Sequence, residues 1–350
     1  MDVEEIRQLQ PMLKAYLKEF ADCFARKDTR AHMDVYVRGQ LSDLDRKSVE
    51  PIAVASDMPP RTLQEFLSQH RWEEDRLRDR LHQKVAREHA SGHSVGLIDE
   101  TSFRKKGKKT PGVKRQYCGT IGKQDNCIVT VHLGYAVDDF HCLLDGELFL
   151  PQDWSADRAR CREAGIPDEM VYRPKTEIAL ELYDRARANG VQFAWMTFDE
   201  WYGGKPAFLR GLRDRQQRFV GEVPKNFLGW IDLPRVTSRP YRRRRRGRRR
   251  HTPRLRADSR PPQTVEYWLK HHPRLQHQPW KKWHLRDGEK GPMVWETKHI
   301  RFFPQEDGLP TVRQHLLIAR NVLDPNEVKY FLGHATAETP LMQVVLFAGG

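Results

Sequence analysis

What this 350-residue chain lacks narrows it first. No run of apolar residues is long enough to span a bilayer. The opening residues MDVEEIRQ are acidic and lack the basic-then-apolar layout of a secretory leader, which makes the cytoplasm the expected location. The five cysteines, Cys23, Cys118, Cys127, Cys142 and Cys161, are odd in number and irregularly spaced, without a CxxC pair. That pattern argues against a zinc ribbon and a disulfide framework, and for buried free thiols. Acidic side chains are outnumbered, 47 against 61 Lys and Arg, leaving a net charge of +14. Such an excess suits a polyanionic partner, nucleic acid or an anionic membrane, and of the two nucleic acid, with no membrane, is the expectation here.

The N-terminal texture is helical. Ile6, Leu9, Leu13, Tyr16, Leu17, Phe20 and Phe24 recur at helical spacing, with Pro11 as an interruption, and a second helical stretch runs from about Arg61 to Ala90. Between them, PIAVASDMPPRTLQEFLSQ reads as a short helix, a turn at Asp57-Met58-Pro59 and a helix opened by Pro60. That outline fits a helix-turn-helix, and an ordinary helical hairpin fits equally well.

From Ser94 the pattern turns to strands. VGLIDETSF is one, and NCIVTVHLGYAV and FHCLLDGELFL form a pair around the Asp138-Asp139 turn. A helix closed by Gly190 leads into the strand VQFAWMTFDE, followed by a helix in PAFLRGLRDRQQ and a strand in RFVGEVP. The fold class is therefore α/β with a mixed sheet. Next comes an arginine block, Arg242, Arg243, Arg244, Arg245, Arg246, Arg248, Arg249 and Arg250, whose self-repulsion predicts a loop. Beyond it, Trp268, Trp280, Trp283 and Trp295 alternate with cations that include Lys281 and Lys282. Tryptophans among cations can stack on bases while Arg and Lys neutralise phosphates, or some can simply fill a small core. We assign the block and the two lysines to DNA contact.

Two other motifs carry less. GHSVG, Gly92 to Gly96, matches the nucleophile elbow of esterases, but here a charged helix precedes it and a strand follows, the reverse of what that turn needs. His271, His272, His277 and His284 have no Cys or acidic residue at ligand spacing and read as surface histidines.

The sharpest signal is a pair of strands that each meet Asp-Glu: Asp99-Glu100 and Asp199-Glu200. One such acid can cap a helix or open a turn. Two, each after an apolar strand, converge at one sheet edge if the strands are neighbours. Converging carboxylates suit hard divalent cations such as Mg²⁺, and two ions about 4 Å apart stabilise both oxygens of a phosphodiester displacement.

With these residues the chain resembles the DDE-superfamily transposases of bacterial insertion sequences. The resemblance rests on RGQLSDLDRKSVEPIA, PPRTLQEFLSQHRW, IDETSFRKKGKKTPGVKRQYCG, DGELFLPQDWSADRARCREAGIP, TFDEWYGGKPAFLRGL and DGEKGPMVWE. It implies an RNase H-like core holding two Mg²⁺ or Mn²⁺ ions by Asp, Asp and Glu, with Asp99 and Asp199 as the two aspartates. It also implies a layout of a helical N-terminal DNA-binding domain (1–92), a catalytic core (93–223), a basic insertion domain (224–310) and a return to the core (311–350). Double-stranded DNA, as element ends and target, is the expected partner, with a homo-oligomer formed on it. Glu296 and Glu306 lie in the insertion, and the helix that bears the third acid in relatives has no counterpart before Gly350. The expectation is thus a transposase with impaired chemistry. Its rivals are a non-catalytic DNA-binding protein that occupies element ends, and a metal-dependent hydrolase of small substrates.

Overall fold

The computed structural model describes residues 3–238, 252–288, 291–336 and 339. The chain divides into two compact units, Met1–Glu88 with Asn189–Val191, and His89–Ala188 with Gln192–Gly350.

The first unit contains α1 (Val3–Lys18), α2 (Lys27–Leu41), α3 (Val49–Ala55), α4 (Pro60–Ser68) and α5 (Glu74–Glu88). Pro11, expected to interrupt, lies inside α1 at an exposed position, where water can satisfy the carbonyl that its ring leaves unpaired. The helical stretch expected over 61–90 is broken between Ser68 and Glu74. The break lets Trp72 turn inward and stack on Phe24 and Phe66, with ring centroids 5.5 and 6.2 Å away. The turn between α3 and α4 is made by Asp57 at φ 50°, and Pro60 opens α4. Cys23, Phe24, Ile52, Ala53, Leu63 and Phe66 form the core beneath them.

The second unit begins with β1 (Val95–Arg104), β2 (Lys114–Cys118), β3 (Lys123–Val137) and β4 (Phe140–Leu148). Helices α6 (Gln152–Ala156), α7 (Arg158–Glu163) and α8 (Lys175–Ala188) follow, then β5 (Trp195–Phe198), α9 (Glu200–Gly203), α10 (Pro206–Asp214) and β6 (Phe219–Val223). Short elements β7 (Leu228–Trp230), β8 (Val236–Thr237), β9 (Arg254–Leu255), β10 (Gln263–Thr264), α11 (Val265–His271) and α12 (Pro273–His277) come next. The last strands are β11 (Lys281–Gly288), β12 (Gly291–Glu306), β13 (Leu309–Pro310), β14 (Gln314–Asn321) and β15 (Val328–His334).

One mixed sheet runs through this unit. From β4 the order is β3, β1, β5, β6, β15, β14, β12, β7 and β10, and among the described residues only the β1–β5 and β5–β6 pairs are parallel. It is consistent with the RNase H-like expectation. Alternation explains β3: Cys127, Val129, Val131, Leu133, Tyr135 and Val137 are buried while their neighbours are less so. Parallel β5 is buried on both faces. Helix α8 lays Ile178, Ala179, Leu182, Tyr183 and Ala186 into the core. Residues 291–334 add antiparallel strands to the same sheet, through the β15–β6 pair.

Candidate active site

The parallel ladder between β1 and β5 is short. It pairs Val95 with Trp195 and ends at Ile98 with Phe198. The antiparallel ladder between β1 and β3 continues to Arg104. Asp99 is therefore not the last residue of its strand, as the sequence suggested, but the first one whose β5 side is open. A strand's end is set by each neighbour separately, and β5 stops at Phe198 because Asp199 caps α9. Its carboxylate accepts a hydrogen bond from Tyr202 N at 3.1 Å. Both aspartates are exposed, in the opening outside the carboxyl ends of parallel strands.

Their proximity has an electrostatic signature. Desolvation raises the Asp199 carboxyl above its ordinary value, the Tyr202 amide opposes this, and the charges of Asp99 and Glu222 add to the rise. One oxygen of Asp99 accepts from its neighbour's amide, Glu100 N, at 2.7 Å. Each carboxylate thus accepts a hydrogen bond from the backbone of the residues that follow it. A hard cation fits such oxygens and would relieve the repulsion between them.

Glu100 does a different job. Alternation turns it to the opposite face of β1, where Lys175 Nζ donates to its Oε2 at 2.6 Å. Burial raises the Glu100 carboxyl even so, with Lys175 pulling the other way. Tyr202 is fully buried, and burial together with the charge of Glu100 pushes its phenol far up. Ser94 of GHSVG is a structural tie: its Oγ accepts from Ala194 N at 3.1 Å and donates to Gln192 O at 2.9 Å, fastening the entry of β1 to that of β5.

Of the residues assigned to DNA contact, Arg242 to Arg246 and Arg248 to Arg250 lie outside the described residues. Lys281 and Lys282 are exposed at the start of β11. Lys281 sits 4.2 Å from the centre of the Trp283 ring, and Lys282 is 3.9 Å from Glu296. The four tryptophans are half-buried. Trp268 Nε1 donates to Gly229 O at 3.0 Å and Trp283 Nε1 to Thr297 Oγ1 at 2.8 Å, while Trp280 lies under Arg320 at 4.2 Å and Lys298 at 4.9 Å. Sequence reasoning missed Lys175, Trp201 and Glu222. Trp201 alone left a trace, as an aromatic two residues past Asp199.

A family model described as DDE superfamily endonuclease matches residues 19–292. The chain belongs to that family. As a DDE-superfamily chain it is also 29% identical, over 214 residues, to a probable transposase for insertion sequence element IS701 from Microchaete diplosiphon. The match covers 57% of this chain and 53% of the relative, so the chain spans about half the length of that curated relative.

Proposed function

We propose that this DDE-superfamily chain is an insertion-sequence transposase, which cuts DNA at element ends and joins it to a target. The observation that carries the reading is the pair Asp99 and Asp199, one step past the end of the β1–β5 ladder and close enough to repel. In this reading the two aspartates would hold Mg²⁺ or Mn²⁺, two ions in a complete site. The ions supply Lewis acidity and charge neutralisation when bound. Asp199 is fixed by its cap on α9 and Asp99 by the β1–β3 ladder, so the sheet keeps the ligands in place while phosphodiesters change. Water would attack the phosphodiester at the element end and break its P–O3′ bond, leaving a 3′-hydroxyl and a 5′-phosphate; that 3′-hydroxyl would then attack a target phosphodiester, forming a new P–O bond as the target's own 3′-oxygen leaves as a hydroxyl. The arginine block and Lys281 and Lys282 neutralise phosphates of double-stranded DNA, and copies of the chain assemble on it.

A second reading, a DNA-binding protein without cleavage, is favoured by the ligand count. Among the described residues no group of three or more His, Cys, Asp or Glu is placed to hold a metal ion. The 350-residue chain is accordingly proposed to cleave weakly. The test is nicking of supercoiled plasmid by the purified chain with Mg²⁺, Mn²⁺ or EDTA. Weak nicking that needs metal and disappears in Asp99→Asn supports the transposase. DNA binding without nicking supports the second reading. Nicking indifferent to EDTA and to Asp99→Asn overturns the site assignment.

A further inference from the structure

A cleft of about 340 Å³ opens beside the acids, lined by Phe149, Tyr172, Lys175, Trp201, Lys205 and Pro206 among others. We infer that this cleft receives one unpaired nucleobase of the DNA held at Asp99 and Asp199, stacked on Trp201 with Lys205 on the adjoining phosphate. The inference rests on the transposase reading and deepens it.

Three observations carry it. The first is exposure. Trp201 is 41% exposed and Tyr172 39% exposed, so two large aromatic surfaces face water at the rim of one cleft. Phe149 meets Tyr172 edge-on at 6.1 Å and closes the wall. A base has a flat π-face whatever its identity, and stacking on an aromatic ring is how proteins hold one without reading its sequence.

The second is charge. The ammonium groups of Lys175 and Lys205 lie over the Trp201 ring, 4.8 and 4.7 Å from its centre, so an entering base takes the place of the Lys205 ammonium, which swings from the ring to the phosphate. Lys175 is committed to Glu100, which fixes it as part of the wall. Lys205 takes no carboxylate among the described residues, so its charge remains for a phosphate. An aromatic ring with one committed and one uncommitted lysine suits a nucleotide better than an apolar peptide, which would leave the ammonium group of Lys205 without a counter-charge.

The third is placement. Both sides of the cleft are tied to the acids: Lys175 holds Glu100, whose buried carboxyl also feels the charge of Asp199, and Trp201 stands two residues after Asp199. DNA at the aspartates passes the mouth of the cleft. A base that leaves the duplex there sacrifices its stacking, which costs least where pairing is already broken.

The probes are a blunt duplex and the same duplex carrying one unpaired 2-aminopurine in an internal bulge, titrated against the full chain at fixed salt. Binding of the bulged DNA is expected to be tighter and to quench 2-aminopurine fluorescence. Trp201→Ala should remove the quench and about tenfold of the affinity for bulged DNA while leaving the blunt duplex unchanged. Trp201→Phe, which keeps a π-face, should restore most of the affinity and part of the quench, and only the quench reports stacking and not packing. Lys205→Ala should weaken the bulged complex alone. Equal binding of the two DNAs, or a quench indifferent to Trp201→Ala, overturns the cleft assignment and leaves the transposase reading standing. If neither DNA binds, the transposase reading falls and takes the cleft with it. Displacement of bulged DNA by equimolar deoxythymidine monophosphate also overturns the inference, because the cleft would then be a site for free nucleotides.

Discussion

Asp99 and Asp199 stand one step beyond the last parallel pair, Ile98 with Phe198, on strands that are otherwise buried at that edge. The fold therefore holds two like charges together at a place where the ladder has just ended, and it holds them at a cost. The Asp199 carboxyl is raised, so its contribution favours the folded state at low pH and is lost as pH rises through the folded pKa. Without metal, Asp199→Asn should melt at or above the wild-type temperature at pH 8, with the difference vanishing towards pH 4. Added Mg²⁺ should stabilise the wild type, by about 1.4 kcal/mol at ten times its Kd, and should do nothing for Asp99→Asn or Asp199→Asn. Scanning calorimetry of the three proteins with and without Mg²⁺ checks both statements. A wild type that gains nothing while its variants behave identically would remove the metal from the site.

The Lys175–Glu100 pair is the hinge between acids and cleft, and each side chain is about one-fifth exposed, 19% and 21%. Lys175→Ala leaves a carboxylate in a crowded place without its cation, which should cost about 1–3 kcal/mol at pH 7. Because burial already raises Glu100, the variant can take up a proton, and the loss should shrink at pH 4.5. Glu100→Gln in the same background should recover part of the loss. Urea unfolding of the double-mutant cycle measures this coupling, and additive single losses would show that the contact contributes nothing.

His299 and His315 face each other across β12 and β14, Nε2 to Nδ1 at 2.9 Å. Burial pushes His299 down to about 4, with the charges of His315 and Arg301 adding to it. His315 is lowered as well, by burial first and then by Arg301, and the Thr336 carbonyl opposes this. A histidine lowered on folding contributes stability above its unfolded pKa, and that contribution is lost as pH falls from about 6.5 towards 4. The urea midpoint should drop across that window by the equivalent of about 3 kcal/mol, with no comparable change between pH 7 and 8. In His299→Asn the acid slope should be clearly flatter. An unchanged slope would assign the acid sensitivity elsewhere.

Local pattern carried part of this architecture. The alternation in β3 and the apolar run leading to Asp199 are written in neighbouring residues, and both are legible. The β15–β6 pair joins residues 328–334 to 219–223, and nothing in either segment names the other. The same holds for Lys175, which reaches Glu100 across 75 positions. The place of Asp99 inside β1 was hidden for a subtler reason. Strand pattern reports where a strand runs, whereas the opening depends on where one particular neighbour stops. Trp72 broke a helix that looked continuous because stacking on Phe24 and Phe66 outweighed local helical preference.

Gly203 fixes how closely α9 approaches β6, and through α9 it fixes Asp199. A Cβ added at Gly203 would lie 1.8 Å from the carbonyl oxygen of Glu222, a backbone atom that cannot swing aside. Gly203→Ala must therefore lift α9 from the sheet, and overpacking of this kind costs about 1–3 kcal/mol. The gain in helix propensity, about 1 kcal/mol at most, does not offset the upper part of that range. Since Asp199 accepts from Tyr202 N, one residue before Gly203, lifting the helix also moves the carboxylate away from Asp99. The variant should melt several degrees lower and lose its Mg²⁺-dependent stabilisation. Gly107→Ala, whose added Cβ meets nothing within 4 Å, should do neither. Thermal melts of the two variants with and without Mg²⁺ decide it. If Gly203→Ala behaves like Gly107→Ala, the contact between α9 and β6 yields freely, and the position of Asp199 depends on its cap alone.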